Sequence, residues 1–429
     1  MSQSIAAGST PPNEVPLPRG AKGYAILLRR NPNLRNVWFG QVISQLGDWF
    51  NTVALLGMLI QLTHNPASAS LSIVTQILPS AVMGLFVSGA IADRFDRKKV
   101  MIVADLARAV IALSYLFVRS PELVWMAYAA TAGLSIGGSF FNASSAAGLP
   151  NLVTRDELPL ANALSQSTFA SMLLIGSAVG GIVTQIFGRD VAFILNALSF
   201  LASAFFIWRT TGNFNAAGSR QVVAGASALR ILTEGFRYLK QNPQARIYAL
   251  AKPFFSWVFG AIGLYGAYAL TIYKIGDMGT SLLYVGRGLG ALISPLIAMS
   301  LLSLTDTKAL GRAIRIGMFI TLFGYTIFAF STTPIVGMVG TFFGHFGAAL
   351  AWTFSRMILQ ISTPDYVRGR VMALDDVMMS VVTSASNVGV GLIASTVSPE
   401  AGALAAVGAG LVGTLAWIIA ARNVKVVTT

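Results

Sequence analysis

The chain has 429 residues and a formal net charge of +14, yet only 11% of its residues are charged and 55% are hydrophobic. Too little polar surface remains to cover a water-soluble globule of that size, so lipid must cover much of it. The absence of cysteine excludes disulfides, thiolate chemistry and cysteine-based metal sites.

Residues 1–36 read as a cytoplasmic tail, and Pro11, Pro12, Pro16 and Pro18 among few apolar groups make its start a disordered segment rather than a signal peptide. Apolar runs long enough to cross a bilayer core as helices then recur at 37–62, 71–92, 100–118, 123–141, 163–187 and 191–208. Residues 209–246 interrupt the pattern for longer than any other internal stretch and form a charged cytoplasmic linker. Six more runs follow at 247–273, 280–304, 313–330, 335–352, 374–397 and 401–421, and 422–429 close the chain as a second cytoplasmic tail. The expected fold class is an all-α membrane protein of twelve transmembrane helices in two sets of six.

Of the 30 Lys and Arg, only Arg119, Arg189 and Lys274 fall in loops on the side away from the tails, while Arg108, Lys252 and Arg287 fall within spans. Short cytoplasmic loops keep Lys and Arg more readily than translocated ones, so both termini are expected inside. The same asymmetry accounts for the positive net charge without a nucleic-acid partner.

A charge at bilayer depth is costly unless it faces a partner or a water-filled cavity. In the first span Gln41, Ser44, Gln45, Asp48, Asn51 and Thr52 share one face by helical spacing and are expected to line such a cavity. Asp48 is the leading candidate to bind and release a proton, set against a neutral or paired structural carboxylate. Asp105 and Arg108, three residues apart near the cytoplasmic end of the third span, are expected to neutralise each other beside the gate. Arg287 sits deeper, in the eighth span; it either faces Asp48, binds an anionic substrate, snorkels or meets backbone carbonyls. Lys252 is expected to snorkel to the cytoplasmic interface. His345, in the tenth span, is read either as a proton relay or as a packing histidine. Trp257, Tyr265 and Tyr268 in the seventh span, with Met378, Met379, Thr383 and Asn387 in the eleventh, give surfaces suited to bulky amphipathic substrates. Gln45, Asp48, Asn51, Trp257, Tyr265, Arg287 and Asn387 are the cavity candidates. Two distant histidines, no His-Glu-x-x-His and no Gly-x-x-x-x-Gly-Lys loop point to no catalytic residue, metal site or cofactor. Composition leaves a serine-based intramembrane enzyme open, and the near-continuous span pattern with its central break argues for transport instead.

The loop between the second and third spans reads Gly89-Ala-Ile-Ala-Asp93-Arg94-Phe-Asp96-Arg97-Lys98-Lys99. Anchoring to anionic lipid heads, worth roughly 1 kcal/mol per basic residue, does not account for Gly89 and Asp93 at this spacing. Here the chain resembles the major facilitator superfamily, whose signature between helices two and three is Gly, three residues, Asp, Arg or Lys, two residues, then paired basic residues. Asn31-Pro-Asn-Leu-Arg35 leading into Ser44-Gln-Leu-Gly-Asp48-Trp49, Ala161-Asn162-Ala163-Leu164, Phe193-Ile-Leu-Asn196 and Arg368-Gly-Arg370-Val-Met-Ala373 narrow the resemblance to the drug-antiporter branch that includes macrolide and enterobactin exporters.

The resemblance implies two pseudo-symmetric six-helix bundles, 37–208 and 247–421, with a substrate site near the midplane between them. It also implies a monomer in the plasma membrane, here a bacterial inner membrane, that exports a small amphipathic compound with possible proton coupling. The Asp93 carboxylate would meet the N-terminus of helix eleven near Leu374 to Val377, and Arg94, Arg97 and Lys98 would complete a cytoplasmic latch. Two departures bear on the latch: Asp96 stands where many members carry Gly, and Asp375 and Asp376 put negative charge near the dock. The antiporter signature of helix five appears as Gly176-Ser177-Ala178-Val179-Gly180-Gly181 without its proline, which reads as close helix packing. A siderophore or lysophospholipid transporter without a proton step is the alternative within transport.

Overall fold

The computed structural model describes residues 18, 20–88, 91, 94–212, 214–215, 228–301 and 307–422. Gly89 and Asp93 lie outside these residues, and their expected part in the gate with them.

A short helix, α1 (Ala21–Arg30), precedes the first long one, α2 (Pro32–Thr63). The following helices are α3 (Pro66–Met83), α4 (Arg97–Leu113), α5 (Val124–Gly148), α6 (Leu158–Phe187) and α7 (Arg189–Trp208). The linker contributes α8 (Ala228–Gln241). The second half holds α9 (Pro243–Phe255), α10 (Asp277–Leu301), α11 (Thr307–Ala329), α12 (Pro334–Ile361), α13 (Asp365–Thr396) and α14 (Pro399–Arg422). Among the described residues, 11 helices are long and apolar enough to cross a membrane. The twelfth expected span, α2, is 32 residues long, and its Gln41-to-Thr52 polar stripe is what makes it less apolar than the rest.

Local chemistry sets where the helices begin. Asn31, Asn65 and Thr333 accept hydrogen bonds from first-turn N–H groups and are followed directly by Pro32, Pro66 and Pro334, whose missing N–H costs nothing there. Asp96 caps α4 by accepting from the Lys99 N–H at 3.1 Å. Short π and 3₁₀ turns end the second and third spans, at Gly84–Ser88 and Ser114–Phe117, but the seventh is irregular through its middle: beyond α9 it runs through a 3₁₀ stretch, Ser256–Leu264, and a π turn, Tyr268–Ile272. Irregular backbone at membrane depth survives only when protein surrounds it, and this span, Pro243–Ile272, is the most buried of the 11.

Outward-facing side chains are those that water would not tolerate. Val110 is 72% exposed, Trp125 64%, Phe323 58% and Val412 69%. Bands of this kind around the bundle are lipid-facing surface, and the protein is a multi-pass membrane protein.

Inside, small residues let helices approach. A Cβ at Gly180 of α6 would stand 3.1 Å from the Phe50 Cα of α2, and one at Gly176 would stand 2.9 Å from the Trp49 Cβ. The packing expected of the Gly176-to-Gly181 run is therefore present, with Gly181 facing Ser281 of the second half. The halves meet chiefly along α6 with α10 and α3 with α13. Their polar contacts among the described residues are the Arg189–Asp277 pair and the Ser281 hydroxyl donating to the Ser177 carbonyl at 2.7 Å. Both lie toward the end of the bundle that carries the 64–65, 188 and 273–276 loops, called the far end below; the opposite, linker end carries α1 and α8. The largest apolar core also straddles the halves there, with Leu56, Ile60 and Ile73 packed among Tyr265, Tyr268 and Tyr284.

Candidate translocation site

Three charged side chains meet at the middle of the first half. The Nη2 of Arg108 donates to both carboxylate oxygens of Asp48, at 2.8 and 3.1 Å, and its Nη1 donates to Asp105 at 3.3 Å. Arg108 also lies over the Phe200 ring at 3.9 Å, with its stem against Gly137 of α5. Asp105 and Arg108 do pair as expected, but the span starts at Arg97 rather than Val100. Arg108 stands at mid-span rather than at the gate and reaches Asp48, near the midpoint of α2. Two carboxylates share one guanidinium, so the cluster carries a surplus negative charge. Asp105 is fully buried, whereas the Asp48 side chain keeps 39% of its surface open.

Arg287 faces this cluster's neighbour rather than the cluster itself. It lies at the middle of the Asp277–Ile297 span, and its Nε donates to His345 Nε2 at 2.8 Å. Nε2 must then be the unprotonated nitrogen, which leaves Nδ1 to carry the hydrogen toward Tyr325 Oη, 3.2 Å away, and the ring neutral. Tyr325 Oη continues to Tyr265 Oη at 3.2 Å. Tyr284, one turn before Arg287, bridges the halves: its ring lies 5.4 Å from Trp49 of α2 and 5.6 Å from the Arg287 guanidinium.

A second charged cluster sits closer to the linker end of the second half. Lys252 contacts Asp375 in a close ion pair and donates to Asp376 at 3.3 Å, and Arg356 donates to Asp376 at 3.0 Å. Lys252 also lies 4.6 Å from the Trp352 ring. The expectation that Lys252 snorkels is corrected here: its side chain is 1% exposed, because α13 brings two carboxylates to it. The same pairing neutralises the Asp375 and Asp376 charges near the expected dock.

Other predicted residues divide by burial. Gln45 and Trp257 keep open surface, while Asn51, Tyr265 and Asn387 are buried. Asn387 Nδ2 donates to the Thr383 carbonyl at 2.8 Å, and the Trp257 carbonyl accepts from the Ser386 hydroxyl. Arg94 lies 5.8 Å from the neighbouring Phe95 ring. The cations expected in the latch bond the first half and the start of the linker: Arg97 donates to the Ala147 and Phe214 carbonyls, and Lys98 to those of Trp208 and Thr210 at 2.9 and 2.7 Å. At the linker end α8 rests on the start of α13, where Glu234 takes Arg370 at 2.5 Å and Arg230 at 2.6 Å.

A family model described as Major Facilitator Superfamily matches residues 37–386. The chain belongs to that superfamily. It is a family of membrane transport proteins rather than enzymes. The YfiS transporter of Bacillus subtilis is 32% identical over 221 residues, 51% of this chain and 51% of that protein. Macrolide efflux protein A of Streptococcus pyogenes is 26% identical over 210 residues, 48% of this chain and 51% of its own length. The alignment thus spans about half the length of each. The enterobactin exporter EntS of Citrobacter koseri is 23% identical over 361 residues, 81% of this chain and 82% of that one. Among solved structures, the nucleoside transporter NupG superposes with a TM-score of 0.68 at 12% identity, covering 90% of this chain and 99% of its own, which bears out the fold.

Several members of the site have no sequence signal of their own. Arg189 donates to both Asp277 oxygens, at 2.7 and 3.0 Å, and to Gln61 at 2.5 Å, joining α7, α10 and α2 at the far end. Counting basic residues placed Arg189 only in an outer loop. Arg356 and Tyr284 were missed because their partners come from other helices of the superfamily fold, which spacing within one helix does not show.

Proposed function

We propose that the protein is a secondary transporter that exports a small amphipathic compound by alternating access, with proton binding at Asp48 biasing which side opens. The carrying observation is the partly open Asp48 carboxylate at mid-span, in a cluster with one more carboxylate than cations. Such a cluster gains a neutral state by taking one proton, and Arg108 then retains Asp105 as its partner. In this reading both termini and the linker lie in the cytoplasm of a bacterial cell, and Arg189 with Asp277 holds the outer end shut. The latch of Asp93, Arg94, Arg97 and Lys98 would engage helix eleven only when that far end opens. Export as the direction draws on the relatives named as macrolide and enterobactin exporters. The protein acts in this reading as a monomer with two bundles, 37–208 and 247–421.

The test is transport in proteoliposomes across drugs, siderophores and lysolipids, with and without a pH gradient. The expected result is gradient-driven movement of at least one amphipath that Asp48→Asn uncouples from pH. An unaltered rate in that variant, or no response to the gradient, ends the coupling proposal.

A further inference from the structure

The two walls at mid-membrane carry opposite unbalanced charge. On the first half Asp48 and Asp105 share Arg108 and leave one negative charge in surplus, on the side chain that is 39% open. On the second half Arg287 donates to His345 Nε2, which is neutral by the direction of that bond, and also reaches the neutral Tyr284 hydroxyl, while no carboxylate pairs with it among the described residues. A guanidinium at this depth with only neutral partners is unfavourable, so an anion from outside the protein would stabilise it. Between the two charges stand Trp49 and Tyr284, whose rings are 5.4 Å apart. Gly288, beside Arg287, abuts Leu174 of the first half at 2.8 Å for a placed Cβ, so this face of α10 looks across the divide.

We infer that the cavity recognises a zwitterionic amphipath, with its cationic group at Asp48, its apolar middle along Trp49, which the buried Tyr284 ring backs, and its anionic group at Arg287. A purely cationic ligand leaves Arg287 uncompensated, and a purely anionic one leaves the Asp48 cluster unbalanced. A zwitterion satisfies both walls without changing the net charge of the cavity. This inference rests on the transport reading for the site's purpose, but its binding test does not.

The experiment is calorimetric titration of the full chain in detergent at neutral pH with three matched probes: the dipeptide phenylalanyl-phenylalanine, its amide and its N-acetyl form. The zwitterion is expected to bind about tenfold more tightly than either charged form, the equivalent of about 1.4 kcal/mol. Arg287→Gln should weaken the zwitterion and the N-acetyl anion about tenfold and spare the amide. Asp48→Asn should spare the anion and weaken the other two. Arg287→Lys, which keeps the charge, should keep the preference, and this variant carries the test if Arg287→Gln does not fold. Equal affinities, binding of none of the three, or an equal loss for all three in Arg287→Gln overturns the inference, the last because it marks Arg287 as a support for His345 only. Preserved selectivity in a protein that transports nothing would defeat the export reading alone. Transport without charge preference would defeat this inference alone.

Discussion

The two buried charge clusters are built from similar parts and end in different states. In the second half, Lys252 and Arg356 balance Asp375 and Asp376; the Lys252 and Asp375 side chains are 1% and 0% exposed, and that of Asp376 is 47% exposed. In the first half, one guanidinium serves two carboxylates and the outer carboxylate stays open. A charge-balanced cluster has nothing to gain from a proton or a ligand, so it braces α9 and α12 against α13. An unbalanced, open one has a vacancy that chemistry can fill. Charge count, more than exposure or the presence of buried charge, separates the brace from the working site.

The sharpest way to break this comparison is to unbalance the brace. Lys252→Met strands the Asp375 carboxylate and is expected to cost about 3–5 kcal/mol, read as a fall in thermal unfolding temperature in detergent. Adding Asp375→Leu to Lys252→Met should recover much of that loss, because an apolar pair replaces the buried ions. Next in size is the far-end lock. With Arg189→Ala, labelling of a cysteine introduced at Ile60 in this cysteine-free chain should rise about tenfold, as about 1.4 kcal/mol of closure is lost. Exchanging the charges, Arg189→Asp with Asp277→Arg, should restore protection. Asp48→Asn should cost about 1 kcal/mol or less in stability, since Arg108 keeps Asp105 and a hydrogen bond to the amide oxygen. An unfolding shift as large as that of Lys252→Met would make the two clusters equivalent and refute the distinction.

The smallest effect belongs to the linker. Hydrogen bonding to Arg230, aided by the charges of Arg370 and Arg237, holds the Glu234 carboxyl below its ordinary value. A depressed carboxyl contributes stability that is present above the unfolded pKa and lost as pH falls through the folded one. Protection of residues 228–241 against hydrogen exchange, taken relative to the intrinsic rate at each pH, should therefore fall on acidification through and below the usual glutamate range, and Glu234→Gln should remove that pH dependence.

Periodicity and length made the spans legible, and the α2 stripe told in advance which helix carries the mid-membrane carboxylate. Asp105 and Arg108 were legible as a pair because both partners lie on one helical face. Their third member was not, since Asp48 comes from α2 and no spacing along α4 announces it. Lys252 was misjudged for the same reason: nearness to the interface suggested escape to water, and the carboxylates that retain it arrive from α13. Arg108 lies mid-span in the expected run 100–118 as in the observed one, so what the sequence withheld was its partner on α2 and not its depth.

The central claim is that the two halves rock about a mid-membrane site whose state is set by Asp48. Spin labels on cysteines at Glu122 and Thr332 report the far end, and a pair at Asp156 and Tyr366 reports the linker end. The account predicts that, as the sample passes from acid to neutral pH, the two inter-label distances change in opposite senses, and that Asp48→Asn abolishes the change. Distances that move together, or a pH response that persists in Asp48→Asn, would contradict it.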